Sequence, residues 1–401
     1  MYQALAFNNA ALMPDRSELQ LVHAGPAYAA IVRLGLERAG EPRLGRRVLL
    51  SIGLTWGVLL LLSLAQDVAV GDLVRVPFLK DFDAPAKFLV SLPLLLWGEI
   101  VAARRLGPAT EHFIRAGLVA ESDLPRYVAI LAQARRLRDS WLAEAVILLL
   151  CAVASVTAYG VFAAGTVSDW RVIDAVSNRL SWAGWWLVVV AAPFYRFILF
   201  RWLWRFLIWA WFLWRTSRLD LRLVPAHADG AGGLAFVGRA ELTFSVLIAA
   251  SAVVLSADLA YATAHLEMAA GELKRSVAVL IVLLTAVQFL PLLPFVRPLA
   301  RANYRGLLEH GALISRHHRA FEAKWVHGPP PPDSELLGMP EAGSLADLPT
   351  GYEAAQRMHF VPVDRRLFLA FLCAAAVPFA PLVLTQVSLA EVGRQLLHLA
   401  L

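Results

Sequence analysis

Apolar positions along the chain gather into seven runs between charged flanks, near 48–66, 86–103, 142–164, 181–200, 242–262, 276–296 and 367–387. A helix rises 1.5 Å per residue, so runs of about 20 residues cross a hydrocarbon core of about 30 Å while satisfying their own backbone hydrogen bonds. The pattern predicts an all-α, polytopic membrane protein with seven transmembrane helices and amphipathic helices outside them. Pro378 and Pro381 interrupt the last run, which reads either as a kinked crossing or as a re-entrant segment.

The segments between the runs are patterned too. The chain divides into an N-terminal segment 1–47, a first helix pair 48–103, a helical segment 104–141, a bundle 142–296, a helix with a proline-rich linker 297–366, and a last span with its tail 367–401. In 104–141, Pro125 follows Glu121, Ser122 and Asp123 as a helix start. Tyr127, Ile130, Leu131, Ala134 and Leu137 then recur at helical spacing, and that helix is expected to run on into the third span. In 297–366, Arg301–Trp325 reads as a helix, Pro329–Pro332 as a stiff extended linker, Asp333–Thr350 as a loop and Tyr352–Met358 as a short helix. The tail Ser388–Leu401 carries Leu389, Val392, Leu396, Leu397 and Leu399 as the stripe of an interfacial helix.

Composition agrees: 401 residues, 59% hydrophobic and 17% charged, against roughly half and a quarter in soluble domains. The net charge of +6 does not point to nucleic acid, because its arginines cluster beside the apolar runs. Those clusters are Arg43, Arg46 and Arg47; Arg104 and Arg105; Arg135, Arg136 and Arg138; Arg215, Arg218 and Arg222; and Arg365 and Arg366. All fall on one side if the N-terminus is cytoplasmic, as the positive-inside rule requires, with the first span an uncleaved anchor. Cys151 and Cys373 lie within spans and read as small apolar residues.

Polar residues inside the runs are the candidates for function. Arg196 lies about one turn inside the inner boundary, and Glu99 and Glu144 fall at a similar depth, so an ionic cluster of Arg196 with one of them is expected. It either fixes helix packing or gates a path. Asp258 and Gln288 either coordinate a solute beside the proline-broken sixth run or hydrogen-bond between helices. Leu180 to Trp214 spans 35 residues with eight tryptophans, about 50 Å as one helix, so it must protrude, tilt or bend. Arg201, Arg205, Trp202 and Trp204 on it read as interfacial anchors or as an anion-attracting vestibule.

The turn 224–234 holds His227, Asp229, Gly230, Gly232 and Gly233. Its amides either cradle an anion or make a tight re-entry with Asp229 as the capping residue. Two ligands are too few for a metal site there, and Asp81 with Asp83 offers only a weak divalent-cation candidate. The chain holds no HExxH, GxSxG, Walker A or Cys-x-x-Cys, so no catalytic residue, metal or cofactor is expected.

Three segments, Arg218–Leu234, Ser344–Leu348 and Pro378–Thr385, resemble a group of uncharacterised bacterial multi-pass inner-membrane proteins. The resemblance implies that layout and a bacterial inner membrane, and carries no activity. Where such proteins read His-Pro-Asp, this chain has His227-Ala228-Asp229. The functional expectation is a homo-oligomeric, anion-preferring channel or transporter, partnered by the bilayer. The alternative is a membrane scaffold or signalling component that recruits a cytoplasmic protein through 104–141 and 297–366.

Overall fold

The computed structural model describes residues 19–22, 25, 44–71, 73–163, 169–174, 179–265, 268–327 and 340–386. Seven helices among them are long and apolar enough to cross a membrane: α1 (Leu44–Ala65), α2 (Asp83–Arg115), α4 (Trp141–Gly160), α5 (Trp182–Thr216), α6 (Ala235–His265), α7 (Ala270–Trp325) and α9 (Arg365–Leu384). Two further helices, α3 (Leu124–Arg138) and α8 (Pro340–Gln356), complete an all-α fold. The chain is therefore a multi-pass membrane protein. Among the described residues the one sheet is a short ribbon of β1 (Val172–Asp174) and β2 (Arg179–Leu180).

The helices overrun the apolar runs that mark them. α2 continues to Arg115, α5 to Thr216 and α7 to Trp325, all toward the end of the bundle that carries the arginine clusters. Beyond the spans these extensions form a packed body. Tyr127 of α3 is fully buried against Phe113 of α2 and Phe212 of α5, and its hydroxyl donates to the Thr110 carbonyl. Burial raises the Tyr127 phenol well above its usual range. The apolar face of α3 is thus consumed inside the chain.

Several expectations are corrected. α3 does not run into α4: it ends at Arg138, and a break at Asp139 and Ser140 intervenes. The stretch 340–350, expected as loop, belongs to α8. Packing on α7 overrides its local turn signals: Ala355 is buried and its carbonyl accepts from Asn303 Nδ2 at 2.5 Å. Pro378 kinks α9 through a 3-10 turn, Val377–Phe379, without ending it. The proline run 329–332 and the tail 388–401 lie outside the described residues, as does most of 1–43.

α6 occupies the centre, packed against α2, α7 and α9, whereas α4 is the most peripheral span. Three spans contain π-helical stretches, at Gly53–Gly57, Ala86–Ser91 and Leu187–Ala191. The latter two each contribute residues to the wall of one cavity. Each π turn widens the helix and breaks the regular phase of side chains, a departure that concentrates at functional sites.

Candidate functional site

A cavity of about 400 Å³ lies within the bundle between α2, α4, α5 and α6. It runs from the Trp170–Arg171 loop to Phe200, one turn past Arg196. Lys87 and Phe88 from the α2 π stretch, and Leu187 and Val188 from the α5 π stretch, form part of its wall. The charged and polar groups lining it are Asp83, Lys87, Arg171, Tyr195, Arg196 and Ser251.

These groups are not equivalent. Lys87 Nζ is 2.5 Å from Asp83 Oδ1. Arg171 is held by Asp81 at 2.9 Å, Asp169 at 3.0 Å and Asp83 at 3.4 Å, and Asp81 also accepts from Trp170 Nε1. Burial alone would lower the Arg171 pKa, but the three carboxylates outweigh it and raise it. The guanidinium thus occupies the space between Asp81 and Asp83, the weak candidate for a divalent cation. Tyr195 shares a hydrogen bond with Ser91 at 2.8 Å.

Arg196 is half-buried, and its Nη1 donates to Ser155 Oγ of α4 at 3.3 Å. Among the described residues it forms no ion pair. The expected cluster with Glu99 or Glu144 is therefore corrected. Glu99 instead receives Arg47 of α1 at 2.6 Å and Arg205 of α5 at 2.9 Å, all three nearly buried. Arg205 also lies over the Trp202 ring, 5.6 Å from its centroid. Helix geometry explains the choice: Arg196 and Arg205 are nine residues apart, about 13.5 Å along α5 and about half a turn out of phase, so Glu99 is not level with Arg196.

Of the five residues expected to line a path, only Arg196 reaches this cavity. Gln288 is fully buried, donating to Ser245 Oγ at 2.7 Å and to the Glu241 carbonyl at 3.3 Å. Asp258 is exposed on α6 and Glu144 is half-buried on α4. The interfacial reading of the α5 residues also changes. Trp202 and Arg205 are buried in protein, Trp204 donates to the Leu137 carbonyl at 3.2 Å, and Arg201 is half-buried. The sequence reading missed Glu241, a fully buried acid whose Oε2 accepts from Trp209 Nε1 at 2.8 Å. It also missed Lys87 and Tyr195, and it placed Arg47 in a flanking basic cluster rather than in an ion pair with Glu99. An acid opening an apolar run, where flanks are usually basic, was the available signal for Glu241.

The glycine turn is built around its own anion. Gly230, Gly232 and Gly233 have φ of 64°, 63° and 95°, the left-handed region that glycine tolerates. This winds the amides of Ala231, Gly233 and Ala235 onto the Asp229 carboxylate at 2.9–3.0 Å, and His227 Nδ1 lies 2.8 Å from it. An external anion would find those amides taken. Burial would raise the Asp229 pKa, but the three amide bonds and His227 outweigh it and lower it. Its folded pKa lies below the unfolded one, so its stabilisation is complete at neutral pH and is lost as pH falls. Asp229→Asn is expected to cost about 2 kcal/mol at pH 7, with the Tm gap to wild type closing below about pH 4. Melting curves of both proteins across pH 3–7 check this.

Among the described residues no group of His, Cys, Asp or Glu is arranged to hold a metal ion. Comparison with known proteins returns no matching family model, no similar curated protein and no similar solved structure.

Proposed function

We propose that this membrane protein is transporter-like and binds a small anionic solute beside Arg196. The observation that carries the reading is a membrane-depth cavity lined by a guanidinium that forms no ion pair among the described residues. A cation at that depth with no carboxylate in ion-pair contact is costly, and a bound anion offsets the cost. The cavity volume sits at the small end of ligand sites, which suits a compact solute. Past Phe200 the bundle is filled by Trp202, Phe206 and Phe244 and by the Arg47–Glu99–Arg205 cluster, so that cluster serves as the closed gate at the basic end.

The arginine clusters support a cytoplasmic N-terminus. The cavity lies within one chain, so binding needs no ring of protomers, although a homo-oligomer remains compatible with it. The scaffold alternative draws on Tyr304 and Leu308, exposed a turn apart on the projecting part of α7.

The test is uptake of radiolabelled phosphate, sulfate and small carboxylates into vesicles containing the purified protein. Wild type is expected to take up at least one of them, and Arg196→Gln to lower that uptake at least about tenfold at unchanged Tm, since one long hydrogen bond is all it gives up. Equal uptake by the variant, or none by wild type together with a soluble protein that co-purifies, favours the scaffold.

A further inference from the structure

A second recess, about 1070 Å³, opens at the basic end between the last turn of α5, the segment 217–225 and the break in α7. Its lining has two characters. Arg218, Arg297, Arg301 and Arg305 converge on it, and Asp220 and Glu309 are its acids. The α7 arginines recur every fourth residue, which puts them on one helix face. All four arginines are exposed, and none has an ion pair among the described residues. Arg218 instead lies over the Trp214 ring, 3.9 Å from its centroid.

Beside them are large apolar groups that also lie exposed: Leu290 at 57%, Leu293 at 49% and Trp214 at 40%. Their depth is fixed by the sequence. The apolar run of α7 ends in a 3-10 stretch, Leu290–Phe295, and Arg297 follows two residues later. That is where hydrocarbon gives way to headgroups. The wall is rigid, because Gly306 packs on Pro225 so closely that an added Cβ would fall 2.4 Å from the ring.

We propose that this recess holds an anionic phospholipid, its phosphodiester on the arginines and an acyl chain along Leu290, Leu293 and Trp214. Guanidinium forks match phosphate oxygens bidentately, and by the positive-inside rule the basic end faces the leaflet whose surface is negative. Apolar exposure beside the arginines favours a lipid over a soluble anion, which would leave the leucines uncovered. The site is separate from the Arg196 cavity and does not depend on transport.

The test is native mass spectrometry of the full chain released from detergent, titrated with phosphatidylglycerol or phosphatidylcholine. Retention of phosphatidylglycerol is expected to exceed that of phosphatidylcholine at least about tenfold. Arg297→Gln/Arg301→Gln/Arg305→Gln should abolish the preference, whereas Arg316→Gln/Arg319→Gln, farther along α7, should keep it. Should the triple variant fail to fold, Arg301→Gln alone is expected to lower the preference and Leu293→Gln to lower retention of both lipids. An unchanged preference in the arginine variants overturns the proposal. So does inorganic phosphate that displaces the lipid at millimolar concentration and binds without it.

Discussion

Glu99→Gln is expected to lower the unfolding temperature of the purified protein more than any exposed charge substitution. The carboxylate is held between Arg47 at 2.6 Å and Arg205 at 2.9 Å, so it ties α1, α2 and α5 together at one point. The amide loses the charge but leaves two guanidinium groups in a nearly buried site. Breaking a buried pair from one side costs about 3–5 kcal/mol, mostly as the uncompensated charge that remains. Glu111→Gln is the control, because its partner Arg115 is 66% exposed and such a pair is worth about 0–1 kcal/mol. Thermal melting in detergent at one scan rate measures both, and equal losses in the two variants contradict this description of the cluster.

Gly238→Ala is expected to be comparably damaging for a steric reason. A Cβ at that position would lie 2.0 Å from the Pro362 carbonyl oxygen and 2.8 Å from Leu367. The obstacle is backbone, which cannot rotate aside, so α6 and the segment leading into α9 must separate. The expected cost is at or above the usual 1–3 kcal/mol of overpacking. Gly271→Ala meets nothing within 4 Å and should be neutral or slightly stabilising, as alanine in an open helical position generally is. The same melting assay separates the two, and a neutral Gly238→Ala would mean that α9 does not dock where described.

The seven spans were legible because hydropathy over about 20 residues is a strong signal that tertiary packing seldom overrides. Helix ends were not. α5 and α7 continue for several turns past their apolar runs, since protein surfaces such as α3 and α8 cover them there and the polar composition no longer marks a boundary. The relative depth of Glu99 and Arg196 was not legible, since Glu99 pairs with Arg205, nine residues and about 13.5 Å farther along α5, and partnership depends as well on which face of each helix meets which neighbour. The π stretch Leu187–Ala191 adds to this by shifting the phase of α5 just before Arg196. The glycine turn illustrates the complementary case. Its residue types announced an amide-lined anion site, and only the backbone geometry shows Asp229 filling it. The arginine-rich recess at the basic end went unnoticed because it joins residues 218 and 297, far apart in the chain.

The central claim is that Arg196 faces water rather than lipid or packed protein, and thiol accessibility tests it most directly. Cys151 and Cys373 are replaced by serine, and Arg196→Cys is introduced into that background in sealed vesicles. The account predicts rapid modification by a charged, membrane-impermeant methanethiosulfonate. Modification by a lipid-soluble maleimide alone, or by neither reagent, would contradict it.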